Sequence, residues 1–354
     1  MKTDKILTVI IPSYNMEAYL PKCLDSLIIE DKELLQKLDV IVVNDGSKDR
    51  TSDIAHNFEA QYPDVFHVID KANGNYGSCI NAALKIASGT FVKILDADDY
   101  FNTNEFYKFL RAINESEKKA ECVDLFMTDF VEVDGDDRPK MAHALPLPRS
   151  RSINVNEQLT IPMLYMHAIA HRTENLRRIE YHQTEGISYT DTEWTYYPMS
   201  RVRRFKYEPF AVYRYLVGRV GQTIDPKVRK KAIWTYAVIA NRMLKEFYRI
   251  TDNVPQIIAQ YLEDFAVMMC TNVYNGVIID LHTDVDDHKL LEFDANLKTL
   301  SDAIHVKVMD RLVSQRIGFN YGRYWRKYKT SGKAKLKIFR FYRHMTSIWS
   351  RHFR

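Results

Sequence analysis

The chain has 354 residues, 46% hydrophobic and 12% aromatic, which is enough to bury a sizeable core and too apolar for a disordered chain. Its net charge of +4 is uneven: 13 Lys and Arg follow Asp310, the last acidic residue, so a basic tail is joined to a body of net charge −9. Four cysteines stand singly with no C-x-x-C pair, which points to neither a zinc site nor a redox motif and fits a reducing cytoplasm.

In chain order, an apolar run at 6–11, stopped by Pro12, predicts a buried strand. It is too short for a signal peptide, and no later run approaches the ~18 apolar residues that cross a bilayer. Leu20, Leu24, Leu27 and Ile28 fall at helical spacing within 18–29. A second buried strand is expected at 40–43, followed by a polar loop at 45–52 and a helix near 53–62. A third strand at 65–69 precedes an Asn/Gly loop at 73–78 and a helix at 79–87. A fourth strand at 91–95 runs into Asp96-Ala-Asp-Asp99. Strands alternating with helices at this spacing imply βαβ units and a mostly parallel sheet. Residues 163–215 read as short strands and turns rich in Tyr, His and Arg. Residues 226–310 carry helical spacing, as in Ile233, Ala237, Ala240, Met243, Leu244 and Phe247.

Ligands of open α/β sheets sit beyond the carboxyl ends of the strands. Tyr14 and Asn15 follow the first strand, Asn44 and Asp45 the second, Asp96 and Asp98 the fourth, so three strand ends converge on one crevice. Asp96-Ala-Asp98 suits Mg²⁺ or Mn²⁺, which use one or two carboxylates and leave room for a pyrophosphate. Tyr14 can stack on a nucleobase, and Asp45 can accept from a base N–H. Gly74 and Gly77 permit close backbone approach to a ligand. His167 and His171 stand four apart, yet no third ligand at zinc spacing is evident.

The segments Val9-Ile-Ile-Pro-Ser-Tyr-Asn15, Val42-Val-Asn-Asp-Gly-Ser-Lys-Asp-Arg-Thr51, Asn73-Gly-Asn-Tyr-Gly-Ser-Cys-Ile-Asn81, Ser88-Gly-Thr-Phe-Val-Lys-Ile-Leu-Asp-Ala-Asp-Asp99 and Thr184-Glu-Gly-Ile-Ser-Tyr-Thr-Asp-Thr-Glu-Trp194 resemble the family 2 glycosyltransferases in order and spacing. The resemblance covers roughly 1–225. It implies a GT-A fold, a Rossmann-like, mostly parallel sheet flanked by helices, and an inverting transfer from a nucleoside diphosphate sugar, usually a uridine diphosphate sugar. It places Pro12, Tyr14 and Asp45 at the base, Asp96 near the ribose or sugar, and Asp98 on Mg²⁺ or Mn²⁺. It makes Asp191 the general base for the acceptor hydroxyl, with Glu185, Glu193 and Asp99 as alternatives. Asn15, Gly74, Asn75, Asn81 and Ala97 complete the expected donor site. Arg219 and Gln222, in a segment similar to the family's after the base, would close over the diphosphate. His167, Glu185 and Trp194 are the expected acceptor pocket. The processive members' Gln-x-x-Arg-Trp signature is missing, so transfer of a single sugar is expected.

The expected organisation is a catalytic domain at 1–225, with a donor half at 1–100 and an acceptor half at 101–225, a helical region at 226–310 and a basic aromatic tail at 311–354. The tail can form an amphipathic helix over 335–354 on an anionic membrane surface. A cytoplasmic protein, peripheral on the inner face of the membrane and acting on a glycan or lipid-linked acceptor, fits this layout; no nucleic-acid partner is expected. A nucleotidyltransferase or a non-catalytic nucleotide-sugar binder is the alternative. The first would carry a Gly-rich basic loop where this chain has Pro-Ser-Tyr-Asn, and the second would lack the carboxylates.

Overall fold

β1 (Leu7–Ser13) and β2 (Leu38–Asn44) are apolar runs without alternation, as strands covered on both faces must be. They pair in parallel from Leu7 opposite Leu38 to Ser13 opposite Asn44. The computed structural model describes residues 4–218, 233–280, 287–314 and 319–328. These divide into two compact units, one within Met1–Val220 with Asn253–Ala259, the other within Gly221–Asp252 and Gln260–Arg354.

In the first unit β3 (Phe66–Asp70) lies parallel to β2, and β4 (Phe91–Ile94) parallel to β1. β9 (Ile169–Arg172) then joins β4 to β6 (Leu125–Val133), antiparallel to both. β10 (Arg204–Leu216) runs parallel to β6. β5 (Tyr100–Phe101), β7 (Pro139–His143) and β8 (Ser152–Asn154) are antiparallel additions at the far side. The order is β3-β2-β1-β4-β9-β6-β10-β5, with β7 on β6 and β8 on β10. The expected parallel sheet thus holds in its first four strands and becomes mixed beyond β4.

Two helices differ from their sequence reading. α1 spans Leu20–Asp25, shorter than the expected 18–29. Pro21 fixes its first turn, and the Ser26 hydroxyl donates to the Cys23 carbonyl (2.5 Å), offering the backbone a turn in place of further helix. α4 spans Asn75–Leu84 and starts four residues before the expected 79. Its first orphan N–H groups are satisfied by a distant carboxylate, Asp45, instead of by a local cap. α3 (Thr51–Gln61), α5 (Thr103–Lys118) and α6 (Thr173–Arg178) complete the principal helices of this unit.

The second unit contains helices Ile233–Thr251, Asp287–Leu300, Asp302–Arg311 and Tyr321–Tyr328, and residues 260–275 of the helix Gln256–Asn275. Tyr274 packs edge-on against Phe293 and Trp325, and its hydroxyl donates to the buried Asp294 (2.7 Å), which also meets His305 Nε2 (3.0 Å). No described helix is long and apolar enough to cross a membrane. The amphipathic helix expected over 335–354 lies outside the described residues.

The amino end of the sheet is held by a buried polar knot. Asp39 Oδ2 accepts from Thr8 Oγ1, Ser88 N and Ser88 Oγ, each at 2.8 Å. Gly89 N donates to Thr8 Oγ1 (2.9 Å), and a Cβ at residue 89 would meet Thr8 N at 2.3 Å. Asp39→Ala strands these donors without a partner, at a cost of about 3 kcal/mol. Calorimetry is expected to record a melting temperature several degrees lower. An unchanged melting temperature would remove the knot from the account of stability.

Candidate active site

β1 and β2 deliver two loops that lock together beyond their carboxyl ends. Asn15 adopts a left-handed backbone (φ 54°), its N–H donates to Ser47 Oγ (3.0 Å), and its Oδ1 accepts from Lys48 N (2.8 Å). Met16 N and Glu17 N donate to Thr51 Oγ1 and Asp49 Oδ2. Pro12 is half-buried and Tyr14 is 46% exposed, so the Tyr14 ring is presented at the crevice. Asp45 is almost fully buried. Its Oδ1 takes Lys71 Nζ (2.5 Å) and Gly74 N (2.9 Å), and its Oδ2 takes Asn75 N (2.9 Å). Asp45 therefore first fixes the Gly74–Asn75 turn; Asn75 sits at φ 67°. Lys71 also donates to Ser78 Oγ (2.8 Å) and enters the site without a sequence motif to mark it.

The carboxylates after β4 lie in a tight turn closed by Asp99 N donating to Asp96 O (2.9 Å). A turn brings its first and fourth residues together, so the cluster able to hold a cation is Asp96, Asp99 and His167, with ligand atoms all within 4.8 Å of one another. The expected pair was Asp96 and Asp98, a pairing that requires extended chain. Asp98 instead walls an adjoining cavity of about 540 Å³ with Tyr19, Lys22, Asp99 and Leu216. Ala97 is buried inside the turn.

Groups from two other elements, α4 and β10, hold this turn. Tyr76, in the first turn of α4, donates to Asp96 Oδ1 (2.8 Å). Tyr213 of β10 donates to Asp99 Oδ2 (2.6 Å) and accepts from Asp96 N (3.1 Å). Leu216 N donates to Asp99 Oδ1 (2.7 Å). Burial, and then the charges of Asp98 and Asp96, push the Asp99 carboxyl well above the usual range. Tyr215, on the same face of β10 as Tyr213, has its phenol raised by burial and then by the charges of Asp99, Asp96, Asp98 and Asp191.

His167 completes the cluster. Burial, assisted by Lys93 and His143, lowers it to about 3, which keeps the imidazole neutral, and its buried Nδ1 has no hydrogen-bond partner. A neutral imidazole with an unspent nitrogen beside two carboxylates fits Mn²⁺ or Mg²⁺. Lys93, with no exposed surface, donates to His167 O (2.6 Å), and burial lowers it to about 7. His171 lies apart from the cluster and is spent on Trp194 O (3.0 Å).

The one-turn helix α7 (Asp191–Trp194) carries the expected base. Burial, moderated by its own and Thr192's backbone N–H groups, pushes the Asp191 carboxyl up to about 6. The alternatives are engaged elsewhere. Glu193 is fully buried and accepts from Thr184 N (2.7 Å) and Thr184 Oγ1 (2.8 Å). Glu185 takes Asn81 Nδ2 (2.8 Å), and Asp99 is held by Tyr213 and Leu216. The Tyr76 phenol is raised by burial, then by the charges of Asp96 and Asp191, and α7 packs against the 3-10 turn Met166–Ala168 that carries His167.

Other expected contacts change role. Asn81 exchanges hydrogen bonds with Gln183 (2.8 Å each way), so its amide fastens the 183–185 segment to α4 and is unavailable to a donor. A Cβ at Gly77 would meet Thr184 O at 2.1 Å; the expected approach is to the chain's own backbone. Trp194 has no exposed surface and packs edge-on against His171 and Tyr181, so it is core and lines no acceptor pocket. Arg219 and Gln222 lie outside the described residues. Sequence reasoning missed the roles of Tyr76, Tyr213 and Tyr215; the Tyr-x-Tyr spacing on a strand was the available signal for the last two.

Residues 8–180 match the profile described as Glycosyl transferase family 2. An uncharacterized glycosyltransferase of Mycoplasma pneumoniae is 41% identical over 110 residues, 30% of this chain and 36% of that protein. The uncharacterized glycosyltransferase EpsJ of Bacillus subtilis is 32% identical over 112 residues, 32% of this chain and 31% of that protein. The chain thus spans about a third of the length of these relatives. Among solved structures, S. aureus TarS 1–349 in complex with UDP-GlcNAc superposes with a TM-score of 0.65 at 19% identity, covering 94% of this chain and 90% of that one. The strand order and helical layers described above are those of the GT-A fold, and residues 8–180 form a family 2 glycosyltransferase domain.

Proposed function

We propose that the chain is an inverting glycosyltransferase that moves a single sugar from a nucleoside diphosphate sugar, a uridine diphosphate sugar by preference, to a hydroxyl of a glycan or lipid-linked acceptor in cell-surface polysaccharide synthesis. The observation that carries this reading is the cluster of Asp96, Asp99 and His167 at the carboxyl end of β4, with ligand atoms within 4.8 Å of one another and carboxylates held by Tyr76 and Tyr213. Relatives in polysaccharide and teichoic acid synthesis, including the minor teichoic acid biosynthesis protein GgaB of Bacillus subtilis, support the setting. The TarS complex with UDP-GlcNAc, on the same fold, supports the donor class.

Asp96, Asp99 and His167 would hold a divalent cation, which when bound supplies charge neutralisation at the departing diphosphate. Asp191, raised towards neutrality, takes the proton from the acceptor hydroxyl. The freed oxygen attacks the anomeric carbon from the face opposite the leaving group, so the C–O bond to the diphosphate breaks as the new glycosidic bond forms. Tyr14 offers a ring for the base. Tyr76 and Tyr213 fix the carboxylates so that little reorganisation is needed during transfer.

Incubation with uridine, guanosine and thymidine diphosphate sugars plus Mn²⁺, following nucleoside diphosphate release, tests the class. Release from one donor, lost in Asp96→Ala, is expected; no release together with no Mn²⁺-dependent donor affinity would sink the reading. Asp191→Asn is expected to lower kcat by about 10³-fold or more while donor affinity is retained. Because Asp191 acts deprotonated, kcat/KM in the wild type is expected to fall as pH drops below about 6. A pH-independent rate down to about 5 would remove Asp191 as base. Tyr213→Phe deletes the group that orients Asp99 and is expected to weaken Mn²⁺ binding about tenfold in an EPR titration with UDP present. Unchanged Mn²⁺ affinity would mean the turn holds its shape without Tyr213.

A further inference from the structure

The sheet carries a second set of side chains outward from the carboxylates. Register across β10, β6 and β7 sets Tyr213, Phe130 and His143 side by side, and one step further Tyr215, Glu132 and Met141. Residues two apart on a strand share a face, so both rows lie on the same side of the sheet. The inner row is closed: Phe130 and Tyr213 are buried, and His143 stacks flat on Phe130 at 4.2 Å and 5°. The outer row is open. Met141 is 56% exposed, and Glu132 and Tyr215 are half-buried. Tyr165, 53% exposed, stands beside the rows, its ring 5.5 Å from Phe130 and 5.8 Å from His143. Tyr215 stacks on His167 at 4.6 Å, which ties the outer row to the cation cluster.

We propose that this face is the acceptor subsite and that its occupant is a neutral pyranose ring with free hydroxyls. The inference rests on the glycosyltransferase reading and adds the substrate class that the site selects. A pyranose presents an apolar C–H face and a rim of hydroxyls. Tyr215, Tyr165 and Met141 offer polarizable surface for the first. The Glu132 carboxylate, steadied by His143 Nε2 (2.8 Å), accepts from the second. Tyr213 of the inner row donates to Asp99, and Tyr215 stacks on His167 of the cluster with Asp96 and Asp99, so a phosphate or uronate placed at that end meets like charge.

The test is binding of a printed array of neutral and uronate-containing oligosaccharides by the full chain saturated with UDP and Mn²⁺, with the best neutral binder titrated by calorimetry. Tyr165→Ala and Glu132→Gln are expected each to weaken that binding about fivefold or more, while UDP affinity in the same samples stays within about twofold. Unchanged oligosaccharide affinity in both variants, a preference for uronates, or no neutral oligosaccharide bound by protein that binds UDP would overturn the proposal and leave the donor reading standing. Failure of the wild type to bind UDP would overturn both.

Discussion

Three carboxylates within four residues repel one another, and the first unit is organised around holding them together. The turn at 96–99 brings Asp96 and Asp99 to the same point, where burial leaves their charge poorly solvated. The chain answers with donors from far along its length: Tyr76 from α4, Tyr213 and the Leu216 amide from β10. None of them carries a positive charge. A divalent cation on Asp96, Asp99 and His167 would relieve that repulsion further. A buried lysine stands nearby, but Lys93 spends its hydrogen bonds on the backbone at His167 and Ile169.

The sheet separates stability from chemistry along its own axis. At the amino ends of β1 and β2, Thr8, Asp39, Ser88 and Gly89 form a saturated polar knot closed to added atoms. At the carboxyl ends, Asn15 and Asn75 sit in left-handed conformations and Tyr14 is presented to solvent. The parallel strands end in the loops that carry Tyr14 and Asp45, while beyond β4 the 3-10 turn ahead of β9 supplies His167 and β10 supplies Tyr213 and Tyr215. The catalytic crevice is where these two halves meet.

The parallel half was legible because β1, β2 and β4 are short apolar runs whose polar residues begin where the strands end. Asp45 was legible as a crevice residue, but its first duty was not. Its partners Gly74 and Asn75 lie 29 and 30 residues away, and no local pattern links a carboxylate to a helix it does not precede. The cation cluster was half legible: Asp96 by position, Asp99 only as an alternative base, and His167 as an acceptor-pocket residue or half of a histidine pair that lacked a third ligand. Tyr213 meets Asp99 across 114 residues, a closure made by the sheet order and invisible to spacing. Trp194 was misread because an aromatic beside a candidate base resembles a pocket wall, whereas a one-turn helix turns it fully inward.

Gly77 has a consequence for how such a domain can diverge. With Thr184 O where its Cβ would stand, the first turn of α4 touches the backbone that leads to Asp191. Asn81 repeats the join through Gln183 and Glu185. The segment that leads to Asp191 is thereby tied to α4 and must change together with it. A chimera that takes its acceptor half from a relative must bring a compatible 183–185 backbone or leave residue 77 without room. Substitutions in the outer rows of β6 and β7 lie beyond this seam and leave the join between α4 and the segment ahead of Asp191 intact.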